Sequence, residues 1–198
     1  SMDADFLALK AENERLRAQL AALEAQVQRL LAENQQLLAA NQKLLAALES
    51  QPQHPEILES LLTTERALGK VDESLARIEK VAGEKPNDSN LQRLLGIALM
   101  MSGQGPAGEE KVRRAIELDP NNVGAYQALA TYLLESGRAQ DAITTYVSAV
   151  QKQPNSAPLH FTLATLFESV GERGNAKLHY EEAVKLDPNL AIAKNNLA

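Results

Sequence analysis

Residues 120–154 read PNNVGAYQALATYLLESGRAQDAITTYVSAVQKQP. The segment starts and ends with proline, and Gly137 divides it into two stretches that are each one helix long. Proline disrupts a helix interior, and glycine readily adopts the left-handed conformation that ends a helix. The segment is therefore predicted to form two helices joined by a tight turn at Gly137.

The same glycines and prolines recur every 34 residues. They are Gly69, Gly103, Gly137 and Gly171, together with Pro52, Pro86, Pro120, Pro154 and Pro188. A helix pair of this size cannot bury its apolar face alone, so neighbouring pairs are expected to stack. The predicted fold is an all-α solenoid. Its repeats span 55–88, 89–122, 123–156 and 157–190, and a fifth starts at 191–198.

Small and large apolar residues alternate within each repeat. In the third repeat the pattern consists of Tyr126, Leu129, Ala130, Leu133, Gly137, Ala142, Tyr146, Ala149 and Pro154. Ala130 and Ala142 are expected to let the two helices approach closely, while the tyrosines fill the space to their neighbours. At these positions the chain resembles the tetratricopeptide repeat (TPR) family. The resemblance implies a right-handed superhelix of helix pairs over residues 51–198.

Two repeats depart from this pattern. The first has Leu62 and Ser74 where the third has Ala130 and Ala142. The second has Gly-Pro-Ala-Gly at residues 105–108. This is a poor start for a helix, so the second helix of that repeat is expected to begin late.

Residues 1–50 follow a seven-residue pattern instead. One column, assigned to heptad position d, contains Leu9, Leu16, Leu23, Leu30, Leu37 and Leu44. The companion column at position a contains Phe6, Asn13, Leu20, Val27, Asn34, Asn41 and Leu48. A buried asparagine needs a partner, and the same asparagine of a parallel, in-register copy supplies one. The segment is therefore predicted to be a parallel coiled-coil helix that makes the chain a homo-oligomer, with a dimer favoured.

The apolar face of this helix widens beyond Val27, where Leu31, Leu38 and Leu45 occupy position e. Two interpretations remain open. A trimer or tetramer would use more of each helix surface. Alternatively, the last turns of the helix cap the first repeat, since the 34-residue phase aligns Leu44 with Tyr146 of the third repeat. Residues 50–55 would then form a rigid joint; otherwise they are a flexible linker.

The TPR resemblance also implies that the first helices of the repeats line a groove that binds peptides or helices. Exposed positions on these helices are carried over by phase. Those predicted to bind a partner are Arg93, Ile97, Met100, Gln127, Thr131, Leu134 and Phe161. Methionine repacks around varied ligands, which favours a mixed, partly apolar groove. The alternative is that Ile97, Met100 and Leu134 only pack between adjacent helices.

The groove differs from that of the TPR proteins that clamp the C-terminal carboxylate of chaperones. Those proteins need lysine, asparagine and arginine in the groove, where this chain has residues such as Glu59, Thr63 and Thr165. A chaperone-tail clamp is therefore not expected.

Catalysis and nucleic-acid binding have little support. His54, His160 and His179 are far apart in phase, and the sequence has no nucleophile elbow, metal-ligand spacing or phosphate-binding loop. No catalytic residue, metal or cofactor is predicted, and His160 is expected to pack as Tyr126 does one repeat earlier. The formal charge of -6 is spread along the chain without a basic cluster, so nucleic acid is not an expected partner.

The composition leaves the compartment open. The absence of cysteine fits the cytoplasm or the periplasm. No stretch approaches the roughly 20 apolar residues of a membrane span, so direct membrane insertion is not expected. Ser1-Met2 resembles an expression scar, and the sequence is compatible with a natural signal or anchor upstream.

The predicted function is a non-catalytic scaffold that binds a protein or peptide partner. The architecture is similar to that of bacterial envelope proteins that place an oligomerising coil ahead of TPRs. Three alternatives remain. The repeats could recruit substrates for a catalytic domain of a larger enzyme, the coil could pair with a different protein as a heteromeric zipper, or the coil could have been fused to the natural protein.

Overall fold

The computed structural model describes residues 1–190, which form helices and connecting turns only. A long helix, α1 (Met2–Ser50), precedes four helix pairs. The pairs are α2 (Pro55–Ala67) with α3 (Val71–Glu84), α4 (Ser89–Met101) with α5 (Gly105–Leu118), α6 (Val123–Glu135) with α7 (Ala139–Lys152), and α8 (Ala157–Ser169) with α9 (Arg173–Leu186). The predicted all-α solenoid is confirmed. The predicted start of a fifth repeat at 191–198 lies outside the described residues.

Each helix pair turns at a glycine with a positive φ. The φ of Gly137 is 74°, and those of Gly69, Gly103 and Gly171 are 72°, 87° and 80°. After Gly137, the backbone N–H of Arg138 donates to the carbonyl of Leu133 at 2.7 Å, which closes the end of α6. A Cβ on Gly137 would meet no atom of residues 1–190 within 4 Å. The left-handed backbone therefore requires glycine here, and lack of space does not.

Helices α4 and α5 cross closely because both have glycine at the crossing point. A Cβ on Gly96 would lie 2.5 Å from Cγ2 of Val112 and 2.7 Å from the carbonyl oxygen of Gly108. The predicted late start of α5 is wrong, because the helix begins at Gly105. Pro106 lies in the first turn, where no intrahelical N–H is needed, and the packing of Gly108 against α4 offsets its poor helix propensity.

The buried apolar residues form two clusters. The first lies in repeats one and two and consists of Leu58, Leu62, Leu75, Ile78, Val81, Ala82, Leu91, Leu94, Leu95, Ala98 and Leu99. The second extends from Val112 to Tyr180. Ile97 packs against the first cluster and Met100 against the second, so this part of α4 lies where the two clusters meet.

The last turns of α1 lie against α2. Asn41 is only 6% exposed, and Leu48 packs against the first cluster. The turn at residues 51–54 is short, and the side-chain amide of Gln53 donates to Oε2 of Glu84 at 2.6 Å. The end of α1 thus contacts the first repeat directly.

Candidate interaction groove

A groove of about 510 Å³ opens between α4 and α6. It forms because the first helices of successive repeats lie side by side, with α2 against α4 and α4 against α6. The groove is lined by Arg66, Ile97, Met100, Met101, Ala128, Thr131, Tyr132, Glu135 and Ser136. Residues three and four positions apart share a helix face, which brings Ile97, Met100 and Met101 of α4 together.

Three of the predicted groove residues line this surface. They are Ile97 and Met100 on α4 and Thr131 on α6. Gln127 and Leu134 are exposed on α6 but do not line the groove itself.

Phe161 contacts the helix that follows it. Its ring meets the ring of Tyr180 edge-on, with centroids 5.6 Å apart and planes at 61°. Phe161 is half-buried against the second apolar cluster. It therefore packs between α8 and α9 and does not line the groove between α4 and α6.

Arg93 is paired within the chain. Its two terminal nitrogens donate to the two carboxylate oxygens of Glu59, each at 2.8 Å, and only 14% of its side chain is exposed. The hydrogen bond from Arg93 lowers the pKa of Glu59, although partial burial of that carboxylate opposes the shift. A Cβ on Gly124 would lie 3.2 Å from Cδ of Arg93, so this glycine leaves room for the arginine stem. Arg93 thus joins α2 to α4, and Glu59 neutralises its charge.

Two other charged residues border the groove. Arg66 lies in the last turn of α2, and Glu135 is the last residue of α6. Both are exposed, and within residues 1–190 neither side chain has a hydrogen-bond or ion-pair partner. Because α4 lies between α2 and α6, the groove has an unpaired positive charge on one side and an unpaired negative charge on the other.

Tyr132 is a groove residue that the sequence analysis missed. It lies over the start of α5, where a Cβ on Gly105 would be 2.6 Å from the tyrosine oxygen. Ala128 and Ser136 were missed as well. A glycine in a helix is a sequence signal for a close approach, but it does not identify the residue that approaches.

Two histidines that the sequence placed far apart are in direct contact. Nε2 of His160 lies 2.9 Å from the carbonyl oxygen of Pro154, and its Nδ1 lies 3.0 Å from Nδ1 of His179. A carbonyl can only accept, so His160 has its proton on Nε2 and Nδ1–H of His179 donates to it. Burial and the neighbouring His160 lower the pKa of His179. The predicted separation was wrong because α8 and α9 form one hairpin, which brings residues of the two helices together.

The expected similarity between His160 and Tyr126 is visible in their hydrogen bonds. The hydroxyl of Tyr126 donates to the carbonyl of Pro120 at 3.2 Å, one period before the bond between His160 and Pro154. Both side chains therefore join a first helix to the proline turn before it.

The described part of the chain has neither a metal-binding cluster nor a membrane-spanning helix. Within residues 1–190, no three His, Cys, Asp or Glu side chains are arranged to hold a metal ion. None of the helices in this range combines the length and apolar content that a bilayer crossing requires.

The apolar column of α1 changes its exposure along the helix. Leu9, Leu16, Leu20, Leu23, Val27 and Leu30 are exposed at 71%, 53%, 57%, 58%, 52% and 53%. Asn13 and Asn34 are exposed as well, and so are Leu31 and Leu38. Toward the end of the helix, Leu37 and Leu44 are half-buried and Asn41 is buried. The role of these residues in oligomerisation stays a prediction.

The helix pairs, their turns and the groove define a helical-repeat protein. Three models of the tetratricopeptide repeat match residues 60–123, 112–144 and 157–190, which together cover more than half of the chain. The chain belongs to the tetratricopeptide repeat family.

Solved structures share this fold. MamA is 20% identical with a TM-score of 0.55, and the match covers 79% of this chain and 91% of that one. The C-terminal part of a TPR repeat-containing protein from Cytophaga hutchinsonii is 18% identical with a TM-score of 0.60, covering 83% and 65%. YrrB, a TPR protein with an unusual peptide-binding site, is 18% identical with a TM-score of 0.52, covering 84% and 86%. At these identities the likeness concerns the fold alone, and no curated protein matches the sequence.

Proposed function

We propose that this protein is a non-catalytic scaffold that binds a segment of a protein partner in the groove between α4 and α6. The observation that carries this proposal is the composition of the groove. Ile97, Met100 and Tyr132 supply apolar surface, and Arg66 and Glu135, which have no partner within residues 1–190, place opposite charges on the two sides of the groove. Apolar surface contributes affinity, while a few placed charges select the orientation of a ligand.

The charges indicate which ligand fits best. Arg66 favours an acidic side chain at the α2 side, and Glu135 favours a basic side chain at the α6 side. An apolar side chain between them would cover Met100 and Met101. We therefore expect an extended segment with acidic, apolar and basic residues in that order across the groove.

The other predicted residues have different roles in this proposal. Gln127 and Leu134 flank the groove and extend the contact along α6. Arg93 holds α2 and α4 at a fixed separation through Glu59, and Phe161 supports the neighbouring repeat. Neither is expected to contact this ligand directly.

A second part of the proposal concerns α1. Its exposed column of leucines is expected to pack against a second copy of the chain in parallel, with two copies favoured over three. Pairing the grooves would raise the avidity for a partner that presents two binding segments. Light scattering after size exclusion tests this part, because the whole chain should be a dimer and residues 51–198 a monomer.

The groove is tested with a library of short peptides selected on the purified chain. Selected peptides should contain the acidic, apolar and basic residues in the proposed order. The double variant Met101→Glu/Thr131→Glu places two carboxylates at exposed groove positions and should weaken binding of the selected peptides by about tenfold or more.

Leu178→Glu is the matched control. Leu178 is 64% exposed on α9 and does not line the groove, so this change should leave peptide binding unaltered. Equal binding of the selected peptides to the double variant and to the control would exclude the groove as their site. Arg66→Glu should shift the selection away from acidic residues at the first position.

A further inference from the structure

One face of α1 contacts different surroundings at its two ends. Leu16, Leu23 and Leu30 at position d are all more than half exposed. Leu44, two heptads beyond Leu30 in the same column, is half-buried. The change occurs where α1 reaches the first repeat, since its last turns lie against α2.

The residues at position a change in the same way. Asn34 is exposed, whereas Asn41, one heptad later, is only 6% exposed. Leu48, one further heptad along, packs against the apolar cluster of repeats one and two. A helix face that is covered by its own chain cannot also pack against a second copy. Beyond residue 34, heptad positions a and d therefore pack against the same chain and are not available to a second copy.

We propose that the surface for a second copy of this chain spans residues 6–34 and ends there. The rest of α1 belongs to the solenoid, where it packs on α2 as the second helix of an incomplete repeat that precedes the first. This inference rests on the proposed pairing through α1 and specifies which part of the helix makes it. The surface contains four heptads and is about 43 Å long at roughly 1.5 Å per residue.

Charges support a second copy as the occupant of this surface. Asp5 and Glu12 at position g can face Lys10 and Arg17 at position e of a parallel copy. Within residues 1–190, the partner of Glu12 is the exposed Arg15, at 2.6 Å, and such exposed pairs exchange readily. These oppositely charged flanks lie within residues 6–34 or directly before them.

The two asparagines provide a matched test. Asn34→Leu should tighten self-association about tenfold or more, because it replaces a polar residue in an apolar seam. Asn41→Leu should leave the dissociation constant unchanged within about twofold, because Asn41 is already buried within its own chain. Sedimentation equilibrium of both variants measures the effect. Equal tightening by the two substitutions would overturn the proposal.

Disulfide trapping gives an independent measurement, because the chain has no cysteine of its own. Leu16→Cys, Leu30→Cys and Leu44→Cys all lie at position d. The first two should form disulfides between copies under mild oxidation, and Leu44→Cys should not. Trapping of Leu44→Cys as fast as Leu30→Cys would overturn the proposed end of the seam.

The failure of the underlying pairing has a different signature. If the chain is a monomer by mass and none of the three variants is trapped, the pairing through α1 itself is wrong. If the chain is a dimer by mass but Leu16→Cys and Leu30→Cys are not trapped, the copies do not pair in parallel register, which also overturns the proposal.

Discussion

Repeats one and four use the same two positions of the helix pair for opposite kinds of contact. In repeat one the positions hold Glu65 and Arg77, and in repeat four, three periods later, they hold Phe167 and His179. Nη1 of Arg77 donates to Oε2 of Glu65 at 2.6 Å. The rings of Phe167 and His179 are instead stacked, with centroids 5.7 Å apart and planes at 14°.

The residues next to these two positions explain how the same backbone arrangement accommodates both kinds of contact. The carboxylate of Glu65 is fully buried, and Ser74 donates a second hydrogen bond to it. Repeat four has Ala176 at the position of Ser74, and there His160 bonds to His179. A buried polar group is costly unless it is paired, so each repeat needs its own set of partners. The comparison shows that the backbone frame is shared while the interior contacts are specific to each repeat.

The largest effect is expected for Arg77→Ala in repeat one. This change leaves the buried carboxylate of Glu65 without its cation and should lower the free energy of unfolding by about 3 kcal/mol. Glu65→Leu/Ser74→Ala/Arg77→Thr, which replaces all three partners with the residues of repeat three (Leu133, Ala142 and Thr145), should change it by less than about 1 kcal/mol. Urea denaturation measures both. Lys111→Ala, at the position of Arg77 in repeat two, is the control and should cost less than about 0.5 kcal/mol.

That prediction depends on the difference between breaking a buried pair and replacing it. If Arg77→Ala is no more destabilising than Lys111→Ala, the contact between Glu65 and Arg77 does not stabilise repeat one.

In repeat two, the point where the two helices cross has no room for a side chain. Gly96→Ala should lower the free energy of unfolding by about 2 kcal/mol, because the new Cβ would meet the carbonyl of Gly108. The new Cβ of Gly83→Ala in α3 meets nothing within 4 Å among the described residues, so this change should stabilise the chain by about 0.5 kcal/mol through helix propensity. Urea denaturation of the two variants should give shifts of opposite sign. Shifts of the same sign and size would refute the close crossing.

Two tyrosines of repeat three test the cost of a single hydrogen bond. Tyr126→Phe removes the hydrogen bond to Pro120 and should lower the free energy of unfolding, measured by urea denaturation, by about 1 kcal/mol. Tyr146→Phe should lower it by less than about 0.5 kcal/mol, because within residues 1–190 the buried hydroxyl of Tyr146 makes no well-formed hydrogen bond, and Thr162, the side chain that it faces, donates to the carbonyl of Pro158 instead. The two rings contact each other, with centroids 6.5 Å apart, so their apolar surroundings are shared. A larger decrease in the free energy of unfolding for Tyr146→Phe than for Tyr126→Phe would contradict the hydrogen bonds assigned to the two hydroxyls.

The smallest expected effect is a pH dependence of repeat four. The pKa of His179 is lowered below its ordinary 6.5, so the folded chain favours the neutral form. This contribution to stability is present above about pH 6.5 and is lost as the pH falls from there toward the folded pKa. The thermal unfolding temperature should therefore drop below that pH.

The control for this pH dependence is a variant that has the residues of repeat three in place of the two histidines. His160→Tyr/His179→Thr restores the pattern of Tyr126 and Thr145, and its unfolding temperature should vary less with pH than that of the parent chain. An identical pH profile for parent and variant would show that these histidines do not control it.

Much of the fold could be predicted because its signals are local. The positive φ at Gly137 and the ends of the helices depend on the residues at those positions, so periodic glycines and prolines located the four helix pairs between residues 55 and 186. The start of α5 at Gly105 was missed because packing of Gly108 against Gly96 outweighs the weak local propensity. The contact between His160 and His179 was missed because it depends on how two helices are rotated against each other.

The candidate groove was predicted only in part for the same reason. The position of each residue in the 34-residue period identified Ile97, Met100 and Thr131, which line the groove. The same criterion did not identify Tyr132. The position in the period also placed Arg93 among the groove residues, because the sequence does not reveal that Glu59 neutralises an arginine one period later.

The amino-acid sequence by itself determined the repeat period, the helix pairs and the turns between them, because backbone preferences and apolar spacing act over a few residues. Only the tertiary structure decided which of these side chains are available to a partner. Arg66 has no partner within residues 1–190 while Arg93 is paired, and Asn34 is exposed while Asn41 is buried at the same heptad position. Availability depends on what the neighbouring helices cover, and that is set by packing between residues distant in the chain.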